Sequence, residues 1–138
     1  MKANELMVGN IVRYDGMTVY VGQVNETKIE GLIDKNDLLI DIRFSVERLE
    51  PIPITEEWLT KQGFKHEYDS ICEYTYYIQE IDGYFVEVKI GCSNMGDEYV
   101  NCHIDNCDRC TVASADIQYV HQLQNLLNIM NIKFDIKL

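Results

Sequence analysis

The chain has 138 residues, with 12 Lys and Arg against 23 Asp and Glu, a formal net charge of −11. Apolar residues make up 46% and charged residues 25%, a balance that excludes a disordered tail, a collagen-like repeat and a coiled coil. The acidity is spread along the chain: residues 1–63 carry −4 and residues 64–138 carry −7. No Lys/Arg cluster exists to neutralise a phosphate backbone, so the composition speaks against direct nucleic-acid binding.

The first ten residues contain no apolar signal segment, and no run approaches the roughly 18 apolar residues that span a bilayer. A cytoplasmic protein without a membrane anchor is the expectation. There the five cysteines, 72, 92, 102, 107 and 110, remain mostly reduced thiols.

In chain order, the opening third reads as short strands joined by tight turns. Ile11–Tyr14 and Met17–Val21 flank Asp15-Gly16, a hairpin dipeptide. Gly22 then marks a bulge or bend. Lys28–Ile33 is a third strand, Asp34–Asp37 a polar turn, and Leu38–Phe44 alternates with Leu38, Ile40, Ile42 and Phe44 on one face. Strands of four to seven residues at this spacing predict a small SH3-like barrel over residues 1–50.

Pro51-Ile52-Pro53 marks a joint. Beyond it, residues 51–138 read as an α+β subdomain. A short helix over 55–62 is capped by Thr55, carries Glu56 and Glu57 in its first turn and stops at Gly63. Trp58 and Leu59 are its anchors. A β-meander follows. Cys72, Tyr74, Tyr76 and Ile78 alternate with Glu73, Thr75, Tyr77 and Gln79; Asp82-Gly83 turns the chain; Tyr84, Val86, Val88 and Ile90 then alternate with Phe85, Glu87 and Lys89. Residues 91–98 read as a loop, Val100–Ile104 as a third strand and Thr111–Ala115 as a fourth. From about 117 to 130 the spacing of Ile117, Val120, Leu123, Leu127 and Met130 is helical, with Gln118, Gln122 and Asn125 on the wet side. Phe134–Leu138 alternates as a final strand. The fold class is therefore α+β, mainly β: an SH3-like small barrel, then an antiparallel sheet packed against a C-terminal helix.

Two constellations bear on function. Cys102, His103, Cys107 and Cys110 fall within nine residues. With Cys92 or His66 as a fourth ligand, Cys102, Cys107 and Cys110 would form a site of the kind that takes zinc, and their spacing also equals that of the first three ligands of a plant-type iron–sulfur loop. Against this, Cys102 and His103 are neighbours on a strand and point to opposite faces. The alternative reading makes Cys102 a core residue, with Cys107 and Cys110 flanking a turn. The second constellation is aromatic. Tyr77 and Phe85 fall on the face otherwise carrying Glu73, Thr75, Glu87 and Lys89, and aromatic area among polar groups suits an interaction surface. Gly91–Gly96 lacks the Lys and Ser/Thr of a phosphate-binding loop and is followed by Asp97 and Glu98. No nucleophile elbow occurs, and three histidines leave few bases. No catalytic residue is assigned, and a resident cofactor is not expected.

Three segments taken together resemble markers of a known group: Lys2-Ala3-Asn4-Glu5-Leu6 with Gly9-Asn10, Leu49 through Leu59, and Tyr119 through Leu126. The group is an uncharacterised family of short proteins from anaerobic gut bacteria, their phages and mobile elements. The resemblance implies an origin and a domain plan, and no reaction. The expectation is thus a non-enzymatic binding protein of a phage or mobile element, acting on a protein partner or by self-association. Two alternatives stand beside it: a metal-binding protein or small-ligand enzyme using residues 102–110, and a nucleic-acid binder using the N-terminal barrel.

Overall fold

The structure is a computed structural model. It describes all residues except Glu26, Thr27, Asn36, Asp37, Ser93 and Leu138, and the backbone alone of 34, 35 and 38–42. It is mainly β, with 49% strand and 18% helix. Among the described residues ten strands form two five-stranded antiparallel sheets. The chain divides into two compact units: Met1–Pro53 with Tyr119–Asn125, and Ile54–Gln118 with residues from Leu126 onward. Residues 119–125, assigned above to the C-terminal subdomain, therefore cluster with the first.

In the first unit, β1 (Ile11–Tyr14), β2 (Met17–Val24), β3 (Lys28–Lys35), β4 (Leu38–Ser45) and β5 (Leu49–Glu50) pair in the order β4-β3-β2-β1-β5. The sheet curls into a half-barrel, as expected of an SH3-like unit. Asp15 and Gly16 both have positive φ, 49° and 78°, the conformation that a two-residue hairpin turn demands. The bulge foreseen at Gly22 is present: the β2–β3 register shifts between Val21 and Gln23. Asn36 and Asp37, within the polar turn expected over 34–37, and the facing of 38–42 lie outside the described residues. Val12, Val19, Val21, Ile29, Ile33, Phe44 and Leu49 form one buried cluster, the product of period-two alternation on a curled sheet.

Amide side chains close this unit. Asn10 is fully buried; its Oδ1 accepts from Met7 N at 2.7 Å, and its Nδ2 donates to Asn125 Oδ1 at 2.8 Å. Asn125 Nδ2 donates to the Glu5 carbonyl at 2.9 Å. Gln124 accepts from Ile11 N at 2.9 Å and donates to the Gly9 carbonyl at 3.0 Å. Buried backbone groups need such partners. Asn125, expected on the wet side of the helix, belongs instead to this network.

In the second unit, α1 (Glu56–Lys61) begins at Thr55, whose hydroxyl accepts from Trp58 N at 3.1 Å. Strands β6 (Lys65–Asp69), β7 (Tyr74–Ile81), β8 (Tyr84–Cys92), β9 (Glu98–Asp105) and β10 (Thr111–Asp116) form a plain meander. Strand β6 was not anticipated: Lys-His-Glu-Tyr-Asp has no apolar alternation, and its tie to the sheet is the backbone ladder to β7. Asp82 and Gly83 make the expected turn, φ 53° and 81°.

Helix α2 (Val120–Ile129) starts later than the predicted 117. Ile117 N still donates to Val100 O, and Gln118 O accepts from Ile54 N, so the extended backbone continues past β10. Among the described residues the expected final strand does not form. Lys137 instead pairs with the buried Gln62 side chain, which donates Nε2 to its carbonyl and accepts its N–H, both at 2.7 Å. A carboxamide presents the donor and acceptor of a peptide unit and so stands in for a neighbouring strand.

Two outcomes follow. Gly31 lies opposite the bulge, and an added Cβ would sit 2.6 Å from the Tyr20 carbonyl oxygen. Backbone cannot yield as a side chain can, so Gly31→Ala lowers stability by about 2 kcal/mol, read as an earlier urea midpoint. His121 is 1% exposed and neither ring nitrogen has a partner among the described residues. Burial holds its pKa below the ordinary value, opposed by Glu5 and reinforced by the N-terminal amine. Above the unfolded pKa of about 6.5 both states are neutral; below it the unfolded chain takes the proton first. Stability therefore falls as pH drops from about 6.5 toward the depressed folded value. His121→Leu flattens that part of the denaturation profile.

Candidate functional site

Which face of the second sheet is covered decides what remains for function. Cross-strand partners share a face, and two rows define the covered one: Tyr77, Val88, Cys102 and Ala115, then Gln79, Val86, Ile104 and Ala113. Val86, Val88, Cys102 and Ile104 are fully buried, and Tyr77 and Ile81 nearly so. This reverses the expected phase of β7. Tyr77 was assigned to the open polar face; it lies on the covered one. Its ring stacks on His66 at 4.9 Å, and burial, with the Glu56 carboxylate at the start of α1 next, raises its phenol pKa and keeps the buried ring neutral.

The open face consequently carries Tyr74, Tyr76 and Ile78 of β7, all half-buried, beside Phe85, Glu87 and Lys89 of β8 and Asn101, His103 and Asp105 of β9. Phe85 is on this face, as the alternation predicted. Two cations lie over its rings. Lys89 Nζ is 3.4 Å from the Tyr74 centroid, and the Arg109 guanidinium is 4.4 Å from that of Phe85. Tyr74 and Tyr76 pack together at 5.6 Å. Burial raises the pKa of both phenols, with Glu87 next in effect, so both are neutral hydrogen-bonding groups at physiological pH. Arg109 also rims a groove of about 500 Å³ whose floor is Tyr76, Ile78 and Phe85 and whose sides include Lys65, Glu67 and Glu80.

The thiols of the proposed metal set are placed apart in character. Cys102 is buried in the covered face; Cys92 ends β8, and Cys107 and Cys110 sit on the β9–β10 turn, all three exposed. Among the described residues no three of His, Cys, Asp and Glu gather as a metal would require. Burial, with Glu87 second, pushes the Cys102 thiol up to about 12, so the free thiol is a poor nucleophile near neutrality. Cys107 and Cys110 bracket the chain where it turns: Arg109 N donates to Asn106 O at 2.9 Å, and Asn106 N to Cys110 O at 2.9 Å. No sequence signal marked Arg109, because its role depends on a turn carrying it back over β8.

Among the described residues no helix is long and apolar enough to cross a membrane. Comparison with protein-family models, with curated proteins and with solved structures gives no match.

The thiol environments predict a graded chemistry. Iodoacetamide at pH 8 modifies Cys72, Cys92, Cys107 and Cys110 in the folded protein and reaches Cys102 only in denaturant, as intact-mass analysis shows.

Proposed function

We propose that this is a non-enzymatic binding protein whose contact surface is the open face of the second sheet, and that its partner is a protein with a basic, partly apolar surface. The carrying observation is the row of half-buried Tyr74, Tyr76, Ile78 and Phe85 on a face where carboxylates outnumber the cations Lys65, Lys89 and Arg109. Rigid aromatic side chains supply contact area at low entropic cost and keep a polar edge, and for that reason they dominate binding hot spots. Charge sets the partner's sign. Glu67, Glu87, Asp105 and Asp116 share this face by register, and the two ion pairs among the described residues both lie in the first unit. Two cations of the face, Lys89 and Arg109, are committed to aromatic rings. With −11 on the whole chain, the surface attracts a basic partner and repels nucleic acid. The phage or mobile-element context suggested by the three sequence segments agrees with an accessory binding role.

The test is affinity capture of host proteins with wild type and with Tyr76→Ala/Phe85→Ala, both verified as folded by circular dichroism. A basic protein retained by wild type loses at least tenfold affinity with the double variant, and its binding weakens as salt rises. Retention indifferent to both changes, or no retained protein, overturns the reading.

A further inference from the structure

The β9–β10 turn holds a pair of exposed thiols and the one arginine that rests on the open face. We propose that Cys107 and Cys110 are a redox site: they close to an intramolecular disulfide on contact with a low-molecular-weight disulfide, and closure moves Arg109 off Phe85.

Three observations place the chemistry here. First, of the four exposed thiols only Cys107 and Cys110 are close in the chain, with two residues between them, Cys72 and Cys92 standing apart, and Cys102, five positions before Cys107, is buried. Access of this kind selects which thiols exchange. Second, the turn is held by one side chain. Asn106 Oδ1 accepts from Asp108 N and from Cys110 N, both at 3.0 Å. Cys110 Sγ faces back over the turn, 3.9 Å from the Asp108 carbonyl. Third, Arg109 stands between the two thiols with φ +60°, a left-handed conformation that costs a residue with a Cβ and is kept only while its surroundings enforce it. Its guanidinium spans from that turn to the Phe85 ring. A bond between the flanking residues reshapes the backbone that sets this reach.

The exchange balances. The Cys107 thiolate attacks one sulfur of oxidised glutathione and releases one glutathione thiolate, leaving a mixed disulfide. The Cys110 thiolate attacks the protein sulfur of that bond and releases the second glutathione. Two protein thiols are oxidised, one small disulfide is reduced, and the two protons pass to the released glutathiones. Exposed disulfides spanning short loops are reopened readily, as a regulatory pair requires. The effect on partner recognition rests on the function proposed above; the thiol chemistry and the motion of Arg109 do not, and both are read without a partner.

The experiment treats the reduced full-length protein with oxidised glutathione, quenches with acid and counts free thiols in denaturant. The count falls from five to three, and peptide mapping without reduction finds Cys107 joined to Cys110 in a species two hydrogens lighter than the reduced protein. In the same sample the Phe85 ring and Arg109 side-chain NMR resonances shift, and dithiothreitol restores them. In Cys107→Ser/Cys110→Ser the thiol count of three and the spectrum are unchanged by the oxidant. Stable single glutathione adducts at Cys107 or Cys110, closure through Cys72 or Cys92, or a closed pair with unmoved Phe85 and Arg109 resonances each overturn the proposal.

Discussion

The inward orientation of Tyr77 fixes the second unit. A strand's side chains alternate strictly, so one residue's choice of face decides those of its whole strand. Tyr77 goes inward, opposite Val88 and in line with Cys102. Its ring finds His66 and its hydroxyl finds Glu56. Tyr74, Tyr76 and Ile78 are thereby sent outward, and the aromatic surface follows. Cys102 is buried by the same row, whereas Cys107 and Cys110 are exposed.

The sequence carried the architecture well where the physics was local. Two Asp-Gly turns, the bulge at Gly22 and the Thr55 cap each depend on a few neighbouring residues and stood where expected. The half-barrel followed from their spacing. The phase of β7 was harder, because its five tyrosines and isoleucines divide three to two between the alternations and hydrophobicity alone does not choose between them. The deciding partners, Glu56 and His66, come from elsewhere in the chain. Strand β6 was invisible for a related reason: an edge strand of five polar residues is specified by its neighbour's open hydrogen bonds rather than by its own pattern. The last five residues alternate as a strand would, and yet the pairing there is made by a glutamine side chain.

The candidate surface was legible in part. Phe85 was placed correctly because β8 has a clear alternation. Tyr77 was not, and its neighbours Tyr74 and Tyr76 take the position expected of it. Arg109 could not have been found by pattern. Its contribution comes from the geometry of a turn, and the same turn brings two thiols to solvent while the third of that cluster stays in the core. The proposed thiol pair and the proposed contact surface are thus set beside each other by backbone conformation instead of by a motif.

The amide network of the first unit has a consequence for how the molecule comes into being. Asn10 and Ile11 find their partners 115 and 113 positions later in the chain, and Glu5 finds its own 120 positions later. A nascent chain emerging from the ribosome has its half-barrel strands in hand long before the residues that satisfy its buried Asn10. The amino-terminal unit therefore gains its full set of amide partners only once residues 119–125 have been made.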